Sequence, residues 1–521
     1  MNNFIKFKYL GLLPALASCG LGGGKTTDSA SLALPKLANG AKPRNVIFIL
    51  SDDHRYDFMG FMGRVPFLET PNMDRMAREG AHLRNAFVNT ALSSPSRATI
   101  VTGMYAHQHT VVDNWAPVPE GLVFFPQYLQ KAGYQTAFFG KWHMGYETDE
   151  PRPGFDHWES FKGQGVYYNP TLNINGTRIA YKDSTYITDL LTEHAIDWLK
   201  QRKAEQPFFV YLSHKAVHDE FLPARRHAGC YANKEMPLPV SFNSPLYGKK
   251  NLPTLDPKTG KAASGADYYG EEMHPDWVKA QRESLQGVDY MHRRERTWQS
   301  NALLYCEALR ALDESIGAVM AYLEEVGLAE STMVIYMGDN GFAWGEHGLI
   351  NKRQFYEESV RVPMLVYCPE ICKNGTVVKQ MVQNVDIAPT ILEMAGLQKP
   401  DHMVGASFIP LLKGQQIPWR DRIYYEYFWE FDFPATPTMH GVRTDKYKYI
   451  RYHGLWDTNE FFDLENDPHE MRNLIAAPEH QETIKQLTGE LYDWLETTGG
   501  MSIPLKRNLR KHTDSRNEGN Y

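Results

Sequence analysis

The sequence predicts an α/β domain built on a mixed, mostly parallel sheet flanked by helices, and three observations support this fold class. Short apolar runs such as 45–50 and 333–337 have the length of strands buried on both faces, and such strands usually belong to parallel sheets. Between them, apolar residues recur every three or four positions over 304–323, which predicts a helix. Several apolar runs also lead directly into reactive side chains.

Four of the predicted strands end in such polar clusters. The clusters are Asp52 with Asp53, Lys141 with His143, His214 with His218, and Asp339 with Asn340. In open α/β sheets the ligand binds beyond the carboxyl ends of the strands, where these clusters would converge. We therefore expect a single site built from all four strand ends.

A chain of 521 residues exceeds what one hydrophobic core usually organises, so a second, smaller unit is expected. Residues 442–450 alternate around a turn, and apolar residues spaced for one helix face run from Ile484 to Leu495. These patterns predict a C-terminal α+β subdomain with an antiparallel sheet. The expected divisions are a catalytic α/β domain at 44–410 with a surface insertion at 228–300, the C-terminal subdomain at 411–505, and a polar tail at 506–521.

The amino-terminal residues have the features of a targeting segment. Two lysines precede a short apolar stretch that ends in Leu16-Ala17-Ser18-Cys19, which resembles a bacterial lipobox. This resemblance implies a lipoprotein signal peptide at 1–19, lipidation of Cys19, and a flexible tether at 20–43. We expect a protein of the periplasm or cell surface that meets the membrane only through its lipid anchor.

Composition narrows the class of partner. The chain is 42% hydrophobic and 22% charged, which excludes wholesale disorder, and its formal net charge is −7. No long run of Lys and Arg is present, so a nucleic acid is not expected as a partner. An anionic substrate must instead be bound by a local positive site.

A hard cation suits the acidic clusters. Asp52, Asp53, Asp339 and Asn340 offer oxygen ligands, and neither cysteines nor paired histidines are spaced for structural zinc. This ligand set favours Ca²⁺ ahead of Mg²⁺.

The candidate nucleophile is Ser93. Pro95 suits the first turn of a helix, so Ser93 would lie beside free backbone N–H groups that favour an anion, with Arg97 one turn further on. No G-x-S-x-G motif is present and no local base would activate the hydroxyl. Taken alone, the segment also fits a serine-rich helix cap followed by a solvated arginine.

The segment from Ser93 through Arg97 to Gly103 resembles the signature of the type I, formylglycine-dependent sulfatases. The resemblance implies an alkaline-phosphatase-like fold and oxidation of the first signature residue to formylglycine. Most members of the family have Cys at this position. Ser93 therefore implies the Ser-type maturation by a radical enzyme before export, or else an engineered replacement of Cys that would leave the protein inactive.

The same resemblance assigns roles to individual residues. Ser93, as formylglycine hydrate, would attack sulfur and complete the ligands of the cation. Arg97 would hold the hydrate, Lys141, His143 and Lys352 would surround the sulfate, and His218 would protonate the leaving alcohol. Val217 replaces the proline that usually precedes this histidine, and His214 lies close enough along the chain to compete for the acid role.

Three further segments, 106–114, 167–176 and 351–357, resemble N-acetylglucosamine-6-sulfatases. They imply hydrolysis of the 6-O-sulfate of N-acetylglucosamine in heparan sulfate, keratan sulfate or mucin-type glycans. Side chains expected to contact the sugar are His214, Trp344, His347 and His440.

Other functions remain open from the sequence. One is a sulfatase for another carbohydrate sulfate, such as a uronate 2-O-sulfate or a sulfated galactose or GalNAc. A second is a phosphodiesterase of the same superfamily that uses unmodified Ser93 on two transition metals. A third is a silent glycan-binding homologue in which Ser93 is never converted.

Overall fold

The computed structural model describes residues 32–40, 42–145, 148–242, 275–282, 284, 286–288, 296–373, 375–454 and 457–504. The predicted signal peptide, Cys19, the first part of the tether, much of the 228–300 insertion and the 506–521 tail lie outside these residues.

The strands of the described chain form one large sheet and several small ones. In chain order they are β1 (Asn45–Ser51), β2 (Ala81–Leu83), β3 (Ala86–Phe87), β4 (Gln135–Gly140), β5 (His157–Ser160), β6 (Thr171–Ile174), β7 (Thr177–Ala180), β8 (Phe208–Ser213), β9 (Thr332–Gly338), β10 (Ala343–Trp344), β11 (Ile350–Asn351), β12 (Met364–Tyr367), β13 (Thr376–Val378), β14 (Val382–Gln383), β15 (Arg422–Tyr427), β16 (Thr438–Thr444), β17 (Tyr447–His453) and β18 (Glu460–Asp463).

Helices cover both faces of the large sheet. In chain order they are α1 (Pro71–Glu79), α2 (Ser93–Thr102), α3 (Ala106–His109), α4 (Phe125–Lys131), α5 (Ile187–Gln201), α6 (Asp276–Gln281), α7 (Trp298–Glu325), α8 (Glu357–Val360), α9 (Ile387–Met394), α10 (Ile409–Leu412) and α11 (Gln481–Thr498). Among the described helices, none combines the length and the apolar character needed to cross a membrane.

The large sheet confirms the predicted α/β class. Within the described chain its ten strands lie in the order β13-β2-β12-β9-β1-β8-β4-β5-β6-β7. The central strands β9, β1, β8, β4 and β5 are parallel, whereas β12, β6 and β7 pair antiparallel to their neighbours. The four strands whose ends carry the polar clusters, β9, β1, β8 and β4, are therefore consecutive neighbours.

Strand β1 shows how an apolar run divides the core. Residues 46–50 are fully buried, and successive side chains point to opposite faces of the sheet. Val46, Phe48 and Leu50 join a cluster that includes residues of α2 and α9, while Ile47 and Ile49 join a second cluster with residues of α1, α5 and α7. The result is a three-layer arrangement of helices, sheet and helices.

The C-terminal residues form the expected antiparallel sheet, ordered β15-β16-β17-β18. Helix α11 packs its Leu487 and Leu491 against Val442 and Phe461 of this sheet. Side chains on the other face of the sheet, among them Tyr425 and Ile450, are part of the main hydrophobic core. The small sheet therefore has both faces covered.

Buried ion pairs join the small sheet to the catalytic domain. Arg443 on β16 pairs with Glu357 of α8 at 3.0 Å, and Lys448 on β17 lies 2.9 Å from the same carboxylate and 2.6 Å from Glu470. Burial favours the neutral form of Glu357, but Arg443 and Lys448 hold the pKa of this carboxyl far below its usual range.

Candidate active site

Two strand ends bring the carboxylates together. Ser51 of β1 is in register with Gly338 of β9, so the residues that follow each strand are neighbours. The backbone N–H of Asp53 donates to Asp339 Oδ1 at 3.0 Å, and Asn340 Nδ2 donates to Asp53 Oδ1 at 2.8 Å. Asp53 has a left-handed backbone (φ 58°), which turns the chain sharply at the end of β1.

These residues fit a hard divalent cation. The Oδ1 of Asn340 is buried and accepts no hydrogen bond from the described residues, as expected of an oxygen that serves as a metal ligand. Burial and the charge of Asp52 raise the pKa of Asp339 to about 6, and burial also raises the pKa of Asp53, so these two carboxylates resist ionisation without a cation. Oxygen ligands of this kind are those that Ca²⁺ prefers.

Ser93 lies directly beside this acidic group. It is the first residue of α2 and is fully buried. Its Oγ donates to Asp52 Oδ1 at 3.1 Å and accepts from Lys352 Nζ at 3.5 Å. The predicted nucleophile thus lies between a carboxylate and an ammonium group.

Three buried cations surround the carboxylates. Arg97 donates from Nε to Asp339 Oδ2 at 3.0 Å, Lys141 Nζ pairs with Asp52, and Lys352 Nζ pairs with Asp53. Burial alone would raise the pKa of Asp52, but Lys141 and its other cationic neighbours hold that pKa well below its usual range. The three cations balance the charges of the three carboxylates, so a bound divalent cation would give the site the positive charge that attracts an anion.

Gly140 allows Lys141 to reach this position. Its φ is +109°, and a Cβ at this residue would lie 1.8 Å from the carbonyl oxygen of Ser213 at the end of β8. Any other residue would push β4 and β8 apart. The close approach lets Lys141 enter the site directly after the strand.

Two histidines complete the site. His218 Nε2 lies 3.8 Å from Asp53 Oδ2, and the His218 carbonyl accepts from the Tyr167 hydroxyl at 2.7 Å. His143 follows Lys141 with a left-handed backbone (φ 56°), and its carbonyl accepts from Ser94. Burial lowers the pKa of both imidazoles well below the usual value.

Comparison with known proteins identifies this arrangement. The family model described as Sulfatase matches residues 44–397. The chain belongs to the sulfatase family. A model described as N-sulphoglucosamine sulphohydrolase, C-terminal, matches residues 345–497, a range that contains the small sheet and all but the last residue of α11.

Individual relatives of this sulfatase cover most of its length. An N-acetylglucosamine-6-O-sulfatase of Bacteroides thetaiotaomicron is 33% identical over 500 residues, covering 88% of each chain. The human N-acetylglucosamine-6-sulfatase is 30% identical over 448 residues, covering 82% of this chain and 73% of its own. A structure solved in complex with its substrate D-glucosamine-2-N,6-O-disulfate superposes with a TM-score of 0.75 at 31% identity, covering 88% of this chain and 99% of the other.

Two of the four side chains predicted to contact the sugar, His214 and Trp344, make contacts in the interior of this sulfatase. The imidazole of His214 contacts Ser315 Oγ on α7 at 3.0 Å, and Trp344 packs against Phe221, Tyr305 and Phe342. His214 therefore links the end of β8 to α7, and Trp344 of β10 packs against the Tyr305 ring of α7.

The remaining two lie near the C-terminal sheet. The ring of His347 stacks on the ring of Tyr356, with 4.1 Å between the ring centroids. One ring nitrogen of His347 and one carboxylate oxygen from each of Glu358 and Glu470 all lie within 4.8 Å of one another. His440 on β16 packs against the rings of Phe428 and His453. A sugar contact by any of the four stays a prediction.

Sequence patterns did not select three further residues, of which Tyr305 and Gln164 contact the site and Lys215 lies at its edge. Tyr305 of α7 donates its hydroxyl to the Asp53 carbonyl at 2.7 Å and accepts from the Arg55 N–H at 3.0 Å. Gln164 accepts a hydrogen bond from Lys141 Nζ, and Lys215 lies between the two histidines of the β8 cluster. Tyr305 and Gln164 belong to distant segments with no motif of their own, whereas the run from Ser213 to His218 could have drawn attention to Lys215.

Proposed function

We propose that this sulfatase hydrolyses the 6-O-sulfate ester of N-acetylglucosamine in sulfated glycans such as heparan sulfate, keratan sulfate or mucin-type chains. The observation that carries the proposal is the position of Ser93 Oγ, 3.1 Å from Asp52 and 3.5 Å from the Lys352 ammonium, among three buried cations. The names of the bacterial and human relatives, and the 6-O-sulfate in the related complex, support the position of the ester.

The site residues would hold one Ca²⁺ through Asp52, Asp53, Asp339 and Asn340, with the Ser93 position as a further ligand. Conversion of Ser93 to formylglycine would supply a nucleophilic hydroxyl group at this position, and the cation would make that hydroxyl more acidic.

The cationic side chains would then act on the sulfate itself. Lys141 pairs with Asp52, which accepts a hydrogen bond from Ser93 Oγ. Lys352 pairs with Asp53 and also donates to Ser93 Oγ, and Arg97 pairs with Asp339. A sulfate bound here places its oxygens among buried positive charges, which stabilise the charge that develops on sulfur oxygens during attack.

His218 is the group best placed to protonate the departing sugar oxygen. It faces Asp53 from the β8 side of the site, and its Nδ1 is buried without a hydrogen bond to any described residue. Burial keeps the imidazole neutral in the free site, and a bound sulfate anion would raise its pKa because negative charge favours the imidazolium form. Substrate binding would therefore favour protonation of His218, the form that a general acid requires.

A panel of defined sulfated saccharides tests this proposal, using protein matured in its native host. Free sulfate should be released from N-acetylglucosamine-6-sulfate and not from sugars sulfated only at a uronate O2 or a galactose. Ser93→Ala should abolish release. Activity on one of the other sugars in place of the 6-sulfate would refute the assigned position.

Mass spectrometry and metal analysis test the two chemical components separately. The peptide that contains Ser93 should lack two hydrogens relative to the encoded sequence, whereas an unmodified serine would indicate a silent glycan-binding homologue. One calcium per chain is expected. Zinc or manganese in pairs would favour a phosphodiesterase instead.

We also propose that the protein is a lipoprotein of the periplasm or cell surface, anchored through Cys19, and that a Ser-type radical enzyme matures Ser93 before export. The lipobox-like sequence ending at Cys19 and the serine at position 93 support this proposal. Cys19→Ala should release the protein from membrane fractions, and persistence in those fractions would count against the anchor.

A further inference from the structure

Lys215 is a buried lysine at the edge of the site that the reaction described above does not use. It lies two residues after the end of β8, and 2% of its surface is exposed. Within the described parts of the chain, its ammonium makes no hydrogen bond and no ion pair. Its closest partner is the aromatic ring of Tyr167, whose centroid lies 4.8 Å from Nζ.

A buried ammonium group without a counter-ion is costly. Each of the other three cations of the site, Arg97, Lys141 and Lys352, pairs with an aspartate. A cation–π contact replaces only part of the hydration that Lys215 loses on burial. Burial accordingly lowers the pKa of Lys215, against the opposing charge of Glu220 and Asp52. An anion brought to this position would relieve the cost.

The backbone fixes Lys215 on the side of the site where the sugar would leave. The carbonyl of Lys215 accepts from the N–H of His218 at 3.0 Å. The ring of Tyr167 lies under the Lys215 ammonium, and its hydroxyl donates to the His218 carbonyl at 2.7 Å. The residue after Lys215 bonds to the backbone of Asp52: the Asp52 N–H donates to the Ala216 carbonyl at 2.9 Å. Lys215 is thus held beside the proposed general acid, whereas Lys141 and Lys352 lie beside Ser93.

We propose that Lys215 binds a second anionic substituent of the sulfated sugar and so makes this sulfatase selective for glucosamine units that carry two anionic groups. This inference rests on the proposed function, because it assumes that His218 faces the leaving sugar oxygen. The substituent is a sulfate on the sugar nitrogen or on O3, since the 6-sulfate itself is bound by the groups around Ser93. Lys215 acts in selectivity and takes no part in breaking the S–O bond.

The test compares Lys215→Met with wild type and with Lys200→Met, a matched control in which an exposed lysine on α5 loses the same charge. The substrates are N-acetylglucosamine-6-sulfate, glucosamine-2-N,6-O-disulfate and N-acetylglucosamine-3,6-O-disulfate. Loss of a charge-assisted hydrogen bond corresponds to a fall of ~10- to 150-fold in kcat/KM. We expect a fall of this size, mainly through KM, on at least one disulfated sugar, and a change within about threefold on the monosulfated sugar.

Each outcome is decisive. Lys215→Arg should retain most of the selectivity, and Lys200→Met should resemble wild type on all three sugars. Equal losses on mono- and disulfated sugars, or no loss on any, would overturn the role of Lys215 while leaving the proposed function intact. A wild type that releases sulfate from none of the three would overturn both. Circular dichroism and thermal unfolding of each variant separate a folding defect from a loss of selectivity, and if Lys215→Met unfolds, Lys215→Gln takes its place.

Discussion

The assignment of His218 as general acid makes a prediction that depends on the leaving group. His218 lies 3.8 Å from Asp53, with 16% of its side chain exposed, so it can reach both the cation site and an incoming ester. Replacement by Ala removes the imidazole but leaves the backbone contacts of the loop, because the Tyr167 hydroxyl and the Lys215 carbonyl bond to main-chain atoms of His218.

The size of the loss follows from the chemistry of the departing oxygen. A positioned acid contributes ~10²- to 10⁴-fold to the rate, and it contributes most when the leaving group is a poor one such as a sugar alkoxide. We expect His218→Ala to lower kcat on N-acetylglucosamine-6-sulfate within that range. On nitrophenyl sulfate, whose phenolate leaves without protonation, the loss should stay below ~10-fold.

The matched control is His214→Ala, which removes the other imidazole of the same loop. His214 is fully buried and contacts Ser315 Oγ, so its loss should lower stability and affect both substrates to the same extent. Steady-state kinetics on the two esters, with thermal unfolding of each variant, provide the measurement. Equal losses by His218→Ala on both esters would remove it from the acid role, and a leaving-group dependence in His214→Ala would transfer the role to His214.

Three other predictions concern the metal, the domain junction and pH. Asp339→Asn should weaken calcium binding measured by titration calorimetry, because it removes the charge of one of three clustered carboxylates; unchanged affinity would exclude Asp339 as a ligand. Lys448→Met should lower the free energy of unfolding by ~3–5 kcal/mol in denaturant titrations, since it leaves the buried carboxylate of Glu470 without its cation and removes one of the cations around Glu357. Lys446→Met, on the surface of the same hairpin, should leave the free energy of unfolding almost unchanged. Burial and Glu346 raise the pKa of Glu358 to about 8, so its neutral form stabilises the fold below its unfolded pKa and this contribution is lost as pH rises through about 8. Glu358→Gln should therefore raise the midpoint of thermal unfolding most at about pH 9, less at about pH 6, and not at about pH 4, which lies below the unfolded pKa. An equal shift at all three pH values would contradict the raised pKa.

The sequence was sufficient to predict the α/β class and the grouping of reactive residues. Each of the four apolar runs is a strand of one sheet, and the order β9-β1-β8-β4 follows the pattern in which parallel strands deliver their polar ends to one edge. The helix over 304–323 and the closing helix over 484–495 are likewise present, within α7 and α11. Periodicity sufficed because these elements bury one face or both.

The contacts that adjust the site were beyond the reach of sequence patterns. Tyr305 fixes the Asp53 carbonyl from the interior of α7, where its position is one of many buried positions on that helix. Sequence alone could not show that Trp344 packs against Phe221 and Phe342, because an aromatic residue suits both interior packing and a sugar contact; the sugar contact stays a prediction. Such distinctions depend on which segments meet in three dimensions.

The ion pairs of Glu357 with Arg443 and Lys448 have a consequence for folding of the enzyme during its synthesis. Lys352 stands five residues before Glu357, which pairs locally with Arg361 at 3.5 Å, whereas its partners Arg443 and Lys448 are encoded 86 and 91 positions later. A growing chain leaves that carboxylate without two of its three cationic partners until the small sheet is made, so the segment that carries Lys352 acquires its final surroundings late in synthesis. Termination of the chain anywhere before β17 would therefore disturb the segment that carries Lys352, although every residue proposed to contact sulfate had already been made.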